Sequence, residues 1–85
     1  MRILVAEDEA VISKQVATAL GHAGYVVDRA MDGARADFLA RTEPYDAIVL
    51  DLGLPKMDGL TLLRGWRQAG LVVPVLILTA RDSWH

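Results

Sequence analysis

The sequence contains no cysteine among its 85 residues. This absence excludes disulfide bonds, a thiolate zinc site and a thiol nucleophile. Long hydrophobic runs are missing too, since no apolar segment approaches the roughly 20 residues of a membrane-spanning helix, and the start of the chain has no signal-peptide pattern. An excess of positive charge is also lacking, because the formal net charge is −2. We therefore expect a cytoplasmic location, with no direct binding of nucleic acid or membrane by this segment.

Short apolar runs are the main signal in what remains. The composition is 53% hydrophobic, which suits one small packed domain rather than a disordered tail. The predicted strands are Ile3–Ala6, Ala47–Leu50 and Val75–Leu78, with a weaker one at Tyr25–Val27. Because the three strong runs are continuous rather than alternating, they are typical of parallel strands buried on both faces.

Three helical patterns separate these strands. The first ends at Gly24, the second begins at the cap Asp32 and ends before Pro44, and the third opens near Asp58 and ends at Gly70. The apolar stripe of the first helix consists of Ile12, Val16, Ala19, Leu20 and Ala23. The apolar stripe of the third helix consists of Leu60, Leu63 and Trp66. Strands alternating with helices predict an α/β fold with a parallel sheet and helices on both of its faces.

Chemistry-bearing side chains follow the strands at their carboxyl ends. Glu7–Glu9 is an acidic run after the first strand, Asp51 follows the third, and Thr79 follows the fourth. In an open parallel sheet these ends form the usual binding crevice. Close carboxylates either take up a proton or bind a cation, and all-oxygen ligands favour a hard ion such as Mg²⁺. For Asp8 alone, a helix-capping role is an equally good interpretation.

Three segments carry a resemblance to a known family: residues 2–9, 48–59 and 74–81. At the expected spacing they resemble the opening strand with its acidic pair, the phosphoacceptor strand with its loop, and the switch-hydroxyl strand of response-regulator receiver domains. The segment Asp51–Gly59, which reads Asp-x-x-x-Pro-x-x-Asp-Gly, is the most specific of the three. The resemblance is closest to transcriptional regulators that carry a winged-helix DNA-binding domain downstream.

The resemblance implies a flavodoxin-like doubly wound parallel sheet. Four strands and about three helices of that fold are expected in this chain. The family continues into a fifth strand and a fifth helix, so residues 1–85 are expected to be the N-terminal part of one receiver domain with no second domain.

The resemblance also implies roles for individual residues. Asp51 would take a phosphoryl group from a histidine kinase, so the chain would be a phosphoacceptor of a two-component system rather than a turnover enzyme. Asp8 and Asp51 would bind Mg²⁺ with the backbone carbonyl of Gly53, and Glu7 would hold the ion through water. This arrangement of ligands is consistent with the physical chemistry of phosphoryl transfer, which depends mainly on positioning the reacting groups and neutralising their charge.

Two further residues complete the implied site. Thr79 would bond the new phosphoryl oxygen as the switch hydroxyl, and Ala80 would leave space for the phosphoryl group. The family's partner lysine belongs to the fifth strand, and neither Lys14 nor Lys56 matches it by spacing, so weak phosphorylation of this chain is expected. The Val75–Leu78 strand would then be an exposed edge, which predicts a homo-oligomer or an element swap.

Three other functions compete with this interpretation. A haloacid-dehalogenase-type enzyme would carry a second acid where Gly53 stands. A nucleotide-binding module would need glycines after the first strand, where this chain has acids. A non-phosphorylated interaction or oligomerisation fragment of the same fold is the third alternative.

Overall fold

A computed structural model describes residues 1–78, so the predictions for Thr79 and Ala80 lie outside the described residues. In chain order the elements are β1 (Arg2–Ala6), α1 (Ala10–His22), β2 (Val26–Ala30), α2 (Gly33–Thr42), β3 (Ala47–Asp51), α3 (Gly59–Gln68) and β4 (Val75–Leu78). The four strands form one parallel sheet in the order β2-β1-β3-β4. None of the helices in this part of the chain has the length and apolar character needed to span a bilayer.

The helices cover both faces of the sheet, as the alternation of strands and helices predicts. On one face Leu4 and Leu50 pack with Trp66 of α3, all three fully buried. On the opposite face Val5 and Val49 pack with residues of α1. The α/β fold with a doubly covered parallel sheet is therefore confirmed, with four strands and three helices in residues 1–78.

Strand β2 is longer than the sequence pattern predicts. The apolar run ends at Val27, whereas the strand continues through two charged residues to Ala30. The strand tolerates them because it lies at the edge of the sheet: the carboxylate of Asp28 accepts hydrogen bonds from Arg2 Nε at 2.9 Å and Tyr45 Oη at 2.7 Å. Arg29 donates from Nε to Ser13 Oγ at 2.8 Å.

The buried faces of two helices agree only in part with the predicted apolar stripes, of which Val16, Leu20 and Trp66 pack in the core. Ser13 is the buried residue of α1, whereas Ala19 is exposed. In α3 the buried side chains are Leu62 and Trp66, whereas Leu60 is 46% exposed. Helical spacing alone allowed either set in α3, and the direction from which the helix approaches the sheet decides between them.

Candidate metal centre

Three acidic side chains meet at the carboxyl ends of the two central strands. Asp51 is the last residue of β3, and Glu7 and Asp8 follow β1 directly. The register that pairs Ala6 with Leu50 brings the two strand ends side by side. One carboxylate oxygen of each acid lies within 4.8 Å of the others. Glu7 and Asp51 are buried, and Asp8 is partly exposed.

Burial changes the protonation of Glu7. Removal from water, followed by the neighbouring carboxyls of Asp51 and Asp8, raises the pKa of Glu7 to about 7, although the backbone N–H of Glu9 opposes the shift. That N–H donates to Glu7 Oε2 at 3.0 Å and fixes the carboxyl group in place. A cation bound among these carboxylates would replace the proton on Glu7, because it offsets the same negative charge.

The residue at which α1 begins argues against the helix-capping role considered for Asp8. The helix begins at Ala10, and its N-cap residue is Glu9, whose side chain makes no capping hydrogen bond. Asp8 therefore precedes the cap position, and its carboxylate belongs to the acidic group with Glu7 and Asp51.

Gly53 lies beside the acids in the loop that joins β3 to α3. Its backbone N–H donates to Asp51 Oδ1 at 3.2 Å, which places this part of the loop against the carboxylate. The loop ends at Asp58, which caps α3 by accepting a hydrogen bond from the Thr61 N–H at 2.9 Å. The loop is thus anchored at both the strand and the helix.

The donor set fits a hard divalent cation. Carboxylate oxygens from three residues converge, and nitrogen or sulfur ligands are absent from this group. Mg²⁺ and Ca²⁺ prefer such oxygen ligands, and Mg²⁺ usually binds one or two carboxylates and keeps several waters. Asp8 is partly exposed and leaves the cluster open to solvent on its side.

Sequence reasoning did not find one close contact beside the site, between Gly33 at the start of α2 and Met57 in the β3–α3 loop. The Gly33 N–H also donates to the carbonyl oxygen of Pro55 at 2.9 Å. The only hint of this contact in the sequence was that Gly33 follows the predicted helix cap Asp32. That pattern indicates where the helix begins, but it does not indicate that Met57 packs against the glycine.

A family model and a curated relative point to the same protein family. The family model described as "Response regulator receiver domain" matches residues 3–84. The transcriptional regulatory protein PhoP of Escherichia coli strain K12 is 43% identical over 85 residues, which are 100% of this chain and 38% of that protein. The chain therefore spans well under half the length of this curated relative.

Solved structures agree with the sequence comparison. The receiver domain of the Francisella response regulator 1452 matches with a TM-score of 0.91 and 38% identity, over 98% of this chain and 69% of the other. The response regulator TrrA of Thermotoga maritima, solved in complex with Mg²⁺-BeF, matches with a TM-score of 0.89 and 30% identity, over 99% of this chain and 73% of the other.

Proposed function

Because this chain belongs to the response-regulator receiver-domain family, we propose that it is a phosphoacceptor of two-component signalling, in which a histidine kinase phosphorylates Asp51. The observation that carries the proposal is the group of three carboxylates at the ends of β1 and β3. Asp51 lies in that group at the end of a strand that pairs with a neighbour on each side, which suits a nucleophile that must be positioned.

The proposed reaction joins a carboxylate oxygen of Asp51 to phosphorus. A new O–P bond forms and the P–N bond of the kinase phosphohistidine breaks. The imidazole nitrogen keeps the electron pair and takes up a proton, and an acyl phosphate remains on Asp51. The chain is consumed as an acceptor in this step and is not a turnover enzyme.

Asp8, Asp51 and the Gly53 carbonyl are the proposed ligands of Mg²⁺, with Glu7 acting through a water molecule. The ion would supply positive charge that offsets the charges of phosphate and carboxylates, which is the main requirement of phosphoryl transfer. The all-oxygen donor set supports this choice of ion. The TrrA structure, which contains Mg²⁺-BeF, supports it by similarity. In this proposal, Thr79 would donate a hydrogen bond from its switch hydroxyl to the phosphoryl oxygen, and the small side chain of Ala80 would leave space for the phosphoryl group.

Incubation with acetyl phosphate and Mg²⁺, followed by intact mass spectrometry, tests the acceptor. The wild-type chain should slowly gain the mass of one phosphoryl group, in keeping with the weak phosphorylation expected from its sequence. Asp51→Asn should not gain it at all, because the amide is not an anionic nucleophile. Asp46→Asn is the matched control, since Asp46 lies at the opposite end of the sheet and its Oδ2 accepts the Arg2 N–H at 2.8 Å. Labelling of Asp51→Asn at the rate of this control would refute the acceptor role.

The proposed output is control of transcription in the cytoplasm through a DNA-binding domain outside this segment. The PhoP relative is named a transcriptional regulatory protein, and this chain covers 38% of it. Direct contact with nucleic acid is assigned to that other domain, because the segment itself carries a net charge of −2.

Self-association through β4 is a second proposal, favoured by exposed apolar side chains on that strand. Within residues 1–78, β4 pairs with β3 alone, and Leu76 is 68% exposed. A second copy could pair with this edge and cover the side chain. Alternatively, two copies could associate by exchanging a secondary-structure element with each other.

A further inference from the structure

The first residue of α2 packs against the loop that carries Gly53. Gly33 is buried, and a Cβ atom added to it would overlap the carbonyl oxygen of Met57 and lie 2.8 Å from the Met57 Cβ. The backbone of Met57 provides part of this contact, so rotation of a flexible side chain cannot relieve it. The absence of a side chain at position 33 is therefore what lets the loop lie on the start of α2.

A second glycine holds the other end of the same loop. The N–H of Gly59 donates to the carbonyl oxygen of Leu52 at 3.0 Å. A Cβ atom at position 59 would lie 2.6 Å from the carbonyl oxygen of Asp51. Gly53 follows Leu52 and precedes Pro55, whose carbonyl oxygen accepts the Gly33 N–H at 2.9 Å. The position of Gly53 is therefore restrained on both sides, by α3 and by α2.

We propose that Gly33 is a positioning residue for the metal centre: by seating the β3–α3 loop on the start of α2, it sets where the Gly53 carbonyl lies relative to the carboxylates of Asp8 and Asp51. This inference rests on the proposed function, in which that carbonyl binds Mg²⁺. Groups that orient metal ligands without binding the ion commonly change metal affinity by about 10- to 100-fold when they are altered.

Titration of the chain with MgCl₂ by isothermal calorimetry, well below the melting temperature, provides the test. Gly33→Ala should raise the Kd for Mg²⁺ by about 10- to 100-fold. Gly21→Ala is the matched control, because a Cβ there meets nothing within 4 Å, and its Kd should equal that of the wild type. A thermal melt in EDTA shows that each variant is folded at the titration temperature, so loss of structure does not account for weaker binding.

The outcomes separate the inference from the proposed function. If the wild type binds Mg²⁺ and folded Gly33→Ala binds it equally well, the inference is wrong and the proposed metal centre stands. If the wild type does not bind Mg²⁺, both are wrong. Should Gly33→Ala not fold, amide hydrogen exchange of the wild type decides: Mg²⁺ should slow exchange at Gly33 more than at Gly21, and equal exchange with and without Mg²⁺ at Gly33 would overturn the inference.

Discussion

Glu7 combines almost complete burial with two acidic neighbours, and this combination moves its pKa toward neutral pH. Its side chain is 1% exposed, and its pKa is raised to about 7, first by burial and then by Asp51 and Asp8. The folded protein therefore binds a proton that the unfolded chain, with an ordinary pKa of 4.5, has already released at neutral pH. A divalent cation competes for the same oxygens.

The stability of the metal-free protein should consequently fall with rising pH. The contribution of Glu7 is fully present below pH 4.5 and is lost as the pH rises through about 7, since its folded pKa lies above its unfolded value. Glu7→Gln keeps a neutral side chain of similar size and should flatten this part of the profile. Urea unfolding in EDTA between pH 5 and pH 8 measures the effect. Glu9→Gln, at an exposed acid, should retain the wild-type slope, and an equal slope in Glu7→Gln would contradict the assignment.

The sequence predicted the grouping of acids on the condition that the first and third strands are neighbours, because strand direction then brings their carboxyl ends together. Asp51 ends β3 and Asp8 follows β1, and the structure pairs these two strands, so no knowledge of side-chain packing was needed. The contact of Gly33 with Met57 depends on the path of the β3–α3 loop, which no local pattern specifies. Lys56 in that loop adopts a φ of 73°, a conformation that lysine does not favour, so its residue type gave no signal for the turn.

At the scale of elements, the helix starts were predictable because their signals are local. Asp32 and Asp58 accept the N–H groups of Arg35 and Thr61 in the first turns of α2 and α3. The far end of β2 was not predictable, since its charged residues find partners on other elements. Burial on α3 was only partly predictable, because periodicity defines a stripe but not the angle at which the helix meets the sheet.

A hydrogen bond between α3 and its neighbour α2 provides an element-scale test. Trp66 is fully buried and donates from Nε1 to Asp37 Oδ1 at 3.0 Å. Trp66→Phe removes that donor and leaves space, and should lower the free energy of unfolding by about 1–3 kcal/mol. Asp37 still accepts from Arg41 Nε at 2.8 Å, so the carboxylate is not left buried without a donor.

Urea unfolding of the two single variants and the double variant isolates this contact. Asp37→Ala and Trp66→Phe should be non-additive, because each removes the same hydrogen bond. Phe38→Leu, at an aromatic residue of α2 that is 57% exposed, is the control and should change stability by less than about 0.5 kcal/mol. Additive effects of Asp37→Ala and Trp66→Phe would show that the hydrogen bond does not link the helices.

At the scale of the whole molecule, the strand order places the acidic group at the centre of the sheet and away from its two edge strands. The central strands β1 and β3 carry the acids and have neighbours on both sides within residues 1–78. The edge strand β2 has polar residues that bond to other elements. The other edge of the described sheet, β4, is entirely apolar in sequence, reading Val-Leu-Ile-Leu. These two edges therefore differ in their tendency to associate.

The β4 edge should make the 85-residue chain self-associate. Leu76 is 68% and Ile77 is 39% exposed, and apolar strand edges of this kind pair with other chains unless charge or a covering element prevents it. At about 25 cal/mol per Å², covering a few hundred Å² returns several kcal/mol, which is comparable with the stability of a small domain. Leu76→Lys places a charge on the strand and should shift sedimentation across a dilution series to monomer. Val72→Lys, at an 86% exposed residue outside the strand, should leave the self-association unchanged. A wild type that is monomeric at every concentration would exclude pairing through β4.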